Sequence, residues 1–197
     1  MIDEVVAAIR AGEPVVVPTD TVYGLGADPY REAPVRRLYR LKGRDTHQPT
    51  ALVAADIEVL LDALPELDAR AQAIARALLP GPYTLILSNP EQRFPWLTGN
   101  RPTTIGVRVP AVAGDAAELF RRVGAVAATS ANRPGEADPR AVAEIPEELR
   151  EACGAVLDVG ELPGTPSTVI DLTAAEPVVV REGAVPAKEA LARLSRA

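Results

Sequence analysis

Apolar positions in this chain recur with two spacings, one helical and one strand-like, and segments of the two kinds alternate from end to end. Residues 2–11 place Val5, Ala8 and Ile9 on one side of a helix that Gly12 stops. The apolar run Pro14-Val15-Val16-Val17-Pro18 predicts a short buried strand bounded by prolines. Residues 33–42 predict a helix with Val35, Leu38, Tyr39 and Leu41 inward and Arg36, Arg37 and Arg40 outward. A strand at 50–54 and a helix at 69–79, ended by Pro80-Gly81-Pro82, follow. Strands are predicted at 83–87 and 104–109, the latter alternating Ile105, Val107 and Val109 against Thr104, Gly106 and Arg108. A helix at 115–123 turns Leu119, Phe120 and Val123 inward, and 125–128 is a strand. Strands at 155–159, 167–172 and 177–181 and a helix at 186–196 complete the series. The longest irregular stretches are 89–102 and 133–139, both too short to separate domains, so one α/β domain is expected over 1–197.

Composition narrows this picture. Of 197 residues 47% are hydrophobic but only 4% aromatic, so the core must be aliphatic, which suits buried strands covered by helices. The net charge of −6 argues against nucleic acid as the main partner, because phosphate neutralisation supplies most of that affinity. Cys153 and His47 are the single cysteine and histidine, so neither a disulfide nor a zinc site of nitrogen and sulfur ligands can be built within the chain. Met1-Ile2-Asp3-Glu4 lacks the basic start of a secretory signal, and no apolar run reaches the roughly 20 residues of a spanning helix, so a cytoplasmic address is expected.

Four segments set polar residues at the ends of apolar strands or helices, where ligands of open α/β sheets bind. Pro18-Thr19-Asp20-Thr21-Val22-Tyr23-Gly24-Leu25-Gly26 follows the first strand; it is either an ordinary polar turn or an anion-binding one. Lys42-Gly43-Arg44 ends the second helix. Its cations either complement the helix dipole or form a clamp, a point charge beside a planar fork, suited to a polyphosphate. Thr129-Ser130-Ala131-Asn132 offers small polar residues against which a base or phosphate could lie. Ser167 opens the fourth segment, and Arg181 and Arg108 each stand in an apolar strand, where a guanidinium needs an anion or a carboxylate partner. There is no GxxxxGK[ST], no GxGxxG after a strand and no GxSxG, so the inventory favours catalysis by positioning and charge stabilisation over a protein nucleophile.

Taken in order, PTDTVYGLG (18–26), KGR (42–44), PGPYT (80–84), GVRVP (106–110), SAN (130–132), STVID (167–171) and REG (181–183) resemble the YrdC/Sua5 family of threonylcarbamoyl-AMP synthases. The resemblance implies a twisted, mixed parallel and antiparallel sheet flanked by helices around an open cavity. It implies that L-threonine, bicarbonate (or CO2) and ATP give threonylcarbamoyl-AMP and pyrophosphate. That product serves N6-threonylcarbamoyladenosine formation at position 37 of tRNAs reading ANN codons, with possible hand-off to the tRNA-modifying complex. Mg²⁺ would travel on the ATP phosphates. Residue by residue, Thr21, Arg108 and Ser167 would meet threonine. Lys42 and Arg44 would hold phosphates and stabilise the leaving pyrophosphate, and Gln48, Thr104, Ser130, Asn132 and Arg181 would contact ATP.

The chain departs from the family pattern in three places. Arg44-Asp45 and Gln48-Pro49-Thr50 stand where relatives commonly carry KGRP and Asn-Pro-Leu, and Val53 stands where some carry a histidine that touches threonine. No extra C-terminal domain is expected after Arg181, leaving loops or the short tail as any lid. Two other functions compete with the synthase: an RNA-binding module, disfavoured by charge, and a carbamoyl-adenylate enzyme of hydrogenase maturation, whose accompanying domains are missing.

Overall fold

A computed structural model describes residues 1–195. Its elements are α1 (Ile2–Ala11), β1 (Val15–Pro18), β2 (Tyr23–Ala27), α2 (Glu32–Lys42), β3 (Ala51–Ala54), α3 (Ile57–Ala63), α4 (Ala69–Leu78), β4 (Tyr83–Ser88), β5 (Thr104–Arg108), α5 (Gly114–Val123), β6 (Ala125–Ser130), α6 (Glu147–Glu151), β7 (Ala155–Val156), β8 (Thr168–Asp171), β9 (Val178–Arg181) and α7 (Ala187–Leu194). The strands form one sheet in the order β7-β1-β2-β6-β3-β5-β4-β8-β9. Three neighbouring pairs are parallel, β1 with β7, β3 with β5 and β4 with β8; the rest are antiparallel. The expected mixed sheet flanked by helices is therefore present.

Side chains alternate across this sheet and feed two cores. Val16, Leu25, Leu52, Leu85, Val107 and Ala127 pack on one face with Leu38 and Tyr39 of α2, Leu60 of α3 and Ile74 and Leu78 of α4. Val15, Val17, Val53 and Val126 pack on the other with Val5, Val6 and Ile9 of α1 and Leu119 and Phe120 of α5. That second core draws on no residue of β4, β5, β8 or β9. Over those strands the same face carries Thr84, Arg108, Val169 and Arg181, which line a cavity instead.

Sequence periodicity located most elements to within a residue or two and missed three. β2 lies inside the segment read as a polar loop; Gly24 and Gly26 depress strand propensity, yet all five of its residues are buried between β1 and β6. α3 was also absent, although Asp56 caps it by accepting from the Val59 amide at 2.8 Å. α6 is only five residues long and lies between the two expected features around it. The strand expected over 155–159 shortens to Ala155–Val156. The closing helix runs Ala187–Leu194, and Arg196 of its expected span lies outside the described residues. Among the described residues no helix is long and apolar enough to cross a membrane.

Candidate active site

The cavity, about 230 Å³, is built from strand ends and the loops that follow them, with Thr19, Gly24, Val53, Thr84, Ala128 and Val169 forming much of its wall. Arg44, Arg108 and Arg181 line it, while Lys42 sits just behind Thr129 and Ser130. The carboxylates at hand are Asp138 in the lining and Asp20 beside Arg108. Cations outnumber carboxylates, so the cavity favours an anion.

The helix-cap reading of the Lys42-Gly43-Arg44 segment holds, and the same turn gathers two cations. Gly43 caps α2 with φ 64°, its amide donating to the Arg40 carbonyl while that of Arg44 donates to Tyr39. This left-handed turn sends the side chains flanking the glycine to the same strand end. Lys42 Nζ lies 3.1 Å from Thr129 Oγ1, 2.5 Å from the Ser130 carbonyl, 3.2 Å from Ser130 Oγ and 3.1 Å from Asn132 Oδ1. An ammonium has three protons, so the four acceptors share them. Arg44 donates to Thr129 Oγ1 at 3.0 Å and to the Pro49 carbonyl at 2.5 Å, and its Nε is buried without a partner among the described residues. Burial, and then the neighbouring Arg44, push the Lys42 pKa down to about 8, with Asp138 opposing. An arriving polyphosphate would reverse that shift.

A second cationic group lies at the end of β5. Arg108 is 8% exposed and donates through Nη2 to Asp20 Oδ1 at 2.7 Å and to Thr21 Oγ1 at 3.0 Å. Asp20 Oδ2 also accepts the Ala111 amide at 3.1 Å, which fixes the carboxylate from both sides. Among the described residues Arg108 Nε is buried with no partner. Burial works against the Arg108 charge and nearby Arg181 does too, while Asp20 supports it. A guanidinium so placed has a donor left for a small carboxylate.

Ser167 stands just before β8, where its hydroxyl lies 2.8 Å from Thr84 Oγ1 and accepts from Arg181 Nη2 at 3.1 Å. Arg181 also holds the Ser167 carbonyl, at 2.8 Å from Nη2 and 3.2 Å from Nε. Gly183 passes so close to the Pro166 and Ser167 backbone that a Cβ would sit 2.3 Å from the Pro166 carbonyl oxygen.

The structure thus brings together Lys42, Arg44, Ser130 and Asn132 at one end of the cavity, and Thr21, Arg108, Ser167 and Arg181 toward the other. Gln48 and Thr104 stand apart. Gln48 is exposed on the turn between α2 and β3, and Thr104 donates to the Arg101 carbonyl at the start of β5, four residues from Arg108. Val53, next to Arg108 in the β3–β5 register, supplies apolar wall. The sequence reading left Asp20, Thr84, Thr129 and Asp138 without roles. Asp20 could have been suspected, since a strand arginine needs a carboxylate, but nothing local named which one.

Among the described residues no group of three or more His, Cys, Asp or Glu side chains is gathered for a metal. A divalent ion here would depend on ligand phosphates for most of its coordination.

Residues 7–183 match the family profile Sua5_yciO_yrdC, described as "Telomere recombination". The chain is 38% identical over 184 residues to the threonylcarbamoyl-AMP synthase of Pyrococcus abyssi, covering 92% of this chain and 53% of that protein. It is 40% identical over 172 residues to that of Stenotrophomonas maltophilia, covering 83% and 88%. The crystal structure of P. abyssi Sua5 complexed with L-threonine matches with a TM-score of 0.88 at 35% identity, over 98% of this chain and 56% of the other. The chain therefore spans about half the length of the P. abyssi protein and most of the Stenotrophomonas one. Fold, motif order and these likenesses agree: the chain belongs to the Sua5/YciO/YrdC family.

Proposed function

We propose that this chain is an L-threonylcarbamoyladenylate synthase, a nucleotidyltransferase that turns L-threonine, bicarbonate and ATP into threonylcarbamoyl-AMP, pyrophosphate and water. The observation that carries this reading is one cavity lined by two separate cationic groups, Arg44 with Lys42 behind it at Thr129, and Arg108 held by Asp20 and Thr21. One site suits a polyphosphate and the other a single carboxylate. The names of the relatives and the threonine complex of one of them support the same pair of substrates.

In this reading Arg108, held by Asp20 and Thr21, pairs with the threonine carboxylate, and Ser167 faces the amino acid. The amine takes up bicarbonate as a carbamate, losing water. A carbamate oxygen then attacks the α-phosphorus, and the bond to pyrophosphate breaks. Lys42 and Arg44 hold the phosphates and stabilise the charge that collects on the departing pyrophosphate, a role that needs position rather than a protein nucleophile. Ser130 and Asn132 fix Lys42 and line the nucleotide, and Arg181 approaches the reacting phosphate from the opposite side. Gln48 and Thr104 are outer contacts that ATP reaches only if it extends beyond the cavity wall. Mg²⁺ arrives with ATP. The product feeds N6-threonylcarbamoyladenosine formation at position 37 of tRNAs reading ANN codons, handed to a tRNA-modifying complex in the cytoplasm. With a net charge of −6 the chain itself binds tRNA weakly or not at all.

Pyrophosphate release measured with each substrate omitted in turn tests the proposal. Release should require both threonine and bicarbonate; equal release with threonine left out overturns it.

A further inference from the structure

Thr84 has no role in the chemistry above, yet it lies at the centre of the cavity floor. Val53 pairs with Arg108, Thr84 lies across from Arg108 one residue beyond the Leu85–Val107 pair, Thr84 pairs with Val169, and Val169 pairs with Arg181. One row across five strands therefore reads Val53, Arg108, Thr84, Val169, Arg181, and all five line the cavity. Directly opposed residues of an antiparallel pair have Cβ atoms about 5 Å apart.

The hydroxyl pair that Thr84 of this row forms with Ser167 holds a proton with nowhere to go. Thr84 Oγ1 and Ser167 Oγ are 2.8 Å apart, and the other partner of Ser167 Oγ is Arg181 Nη2, which can only donate. Among the described residues Thr84 Oγ1 has no further partner. Whichever of the two hydroxyls donates to the other, the second O–H is left without an acceptor. The pair thus offers one donor, beside the apolar Val169.

We infer that the Thr84–Ser167 pair receives the side-chain hydroxyl of the amino-acid substrate, which makes Thr84 a specificity-determining residue. The inference rests on the threonine reading of the Arg108 site. In sheet order Arg108 stands between β6, whose end holds Lys42 and Arg44, and β8, which follows Ser167. With its carboxylate on Arg108, the substrate must turn its amine toward the phosphates on the β6 side. The side chain is then left to the β4–β8 side, where a hydroxyl meets the free donor and a methyl group meets Val169. A β-hydroxyl and a β-methyl on one carbon are what that corner accommodates.

The test is pyrophosphate release with L-threonine, L-serine or L-valine in the presence of ATP and bicarbonate, using the wild type, T84V and T84S. Valine has the shape of threonine without its hydroxyl. A site built around a substrate hydroxyl rejects the analogue lacking it strongly, here by at least about 100-fold in kcat/KM. Serine should be used better than valine. T84V, nearly isosteric, leaves the Ser167 hydroxyl as a donor but removes the Thr84 oxygen that holds it in place. It should therefore lower the threonine-to-valine preference at least about tenfold while leaving the KM for ATP and bicarbonate unchanged, and T84S should restore it. Wild type that uses valine as well as threonine overturns the inference without any variant. So does a T84V effect confined to the KM for bicarbonate, which would place a carbamate oxygen on the pair instead. Threonine-independent release by the wild type would overturn the functional reading itself.

Discussion

Lys42 should make both stability and ATP affinity depend on pH in a calculable way. The residue is 6% exposed, and burial lowers its pKa from 10.5 to about 8. At about 1.36 kcal/mol per unit, keeping it charged in the folded, ligand-free protein costs about 3 kcal/mol. The folded state gives up its proton near pH 8 and the unfolded chain only near 10.5, so between these values the unfolded state holds more protons. Stability therefore rises with pH across that window, and below pH 8 the cost is fully present. Burial raises the pKa of Tyr23, Tyr39 and Tyr83, which acts in the opposite sense as pH passes through about 10. Comparison with K42M removes that common background. Urea unfolding of both proteins from pH 7 to 10 should show the wild type gaining on the variant by about 2 kcal/mol or more. ATP, which needs the charged form, should bind about tenfold more weakly per pH unit above 8, by calorimetry. A stability difference that stays flat, together with affinity unchanged from pH 7.5 to 9.5, would refute the reasoning.

D20N should destabilise the fold by about 3 kcal/mol in denaturant unfolding, because it leaves the Arg108 guanidinium buried without its carboxylate. It should also raise the KM for threonine as Arg108 loses its fixed orientation. G43A should cost about 1–2 kcal/mol in thermal unfolding, since φ is 64° there and a Cβ would meet nothing within 4 Å, so that backbone strain is the whole effect. The same substitution should weaken ATP binding by displacing Lys42 and Arg44 together. Cys153, its thiol pKa pushed up to about 12 by burial, should react with iodoacetamide at pH 8 far more slowly in the native protein than in urea.

The sequence by itself determined most of the elements and some of the site. Aliphatic runs without aromatics, broken by prolines and glycines, dictate short buried strands between amphipathic helices, and these effects act within a few residues of each other. The Lys42-Gly43-Arg44 turn was legible for the same reason, since a helix end and a left-handed glycine are local features. β2 was not, because Gly24 and Gly26 carry no strand preference of their own; pairing with β1 and β6 makes that segment a strand. Only the tertiary structure decided the partners of the cations. Lys42 meets acceptors 87 to 90 residues away, and Arg108 meets Asp20 88 residues away, through a register set by the packing of whole strands. The same long-range pairing excluded Gln48 and Thr104 from the cavity lining and brought Thr84 into line with Arg108 and Val169. Local propensity chooses helix or strand, but a binding site on an open sheet is a property of strand order. That order is fixed by which faces can be buried together, which no single segment encodes.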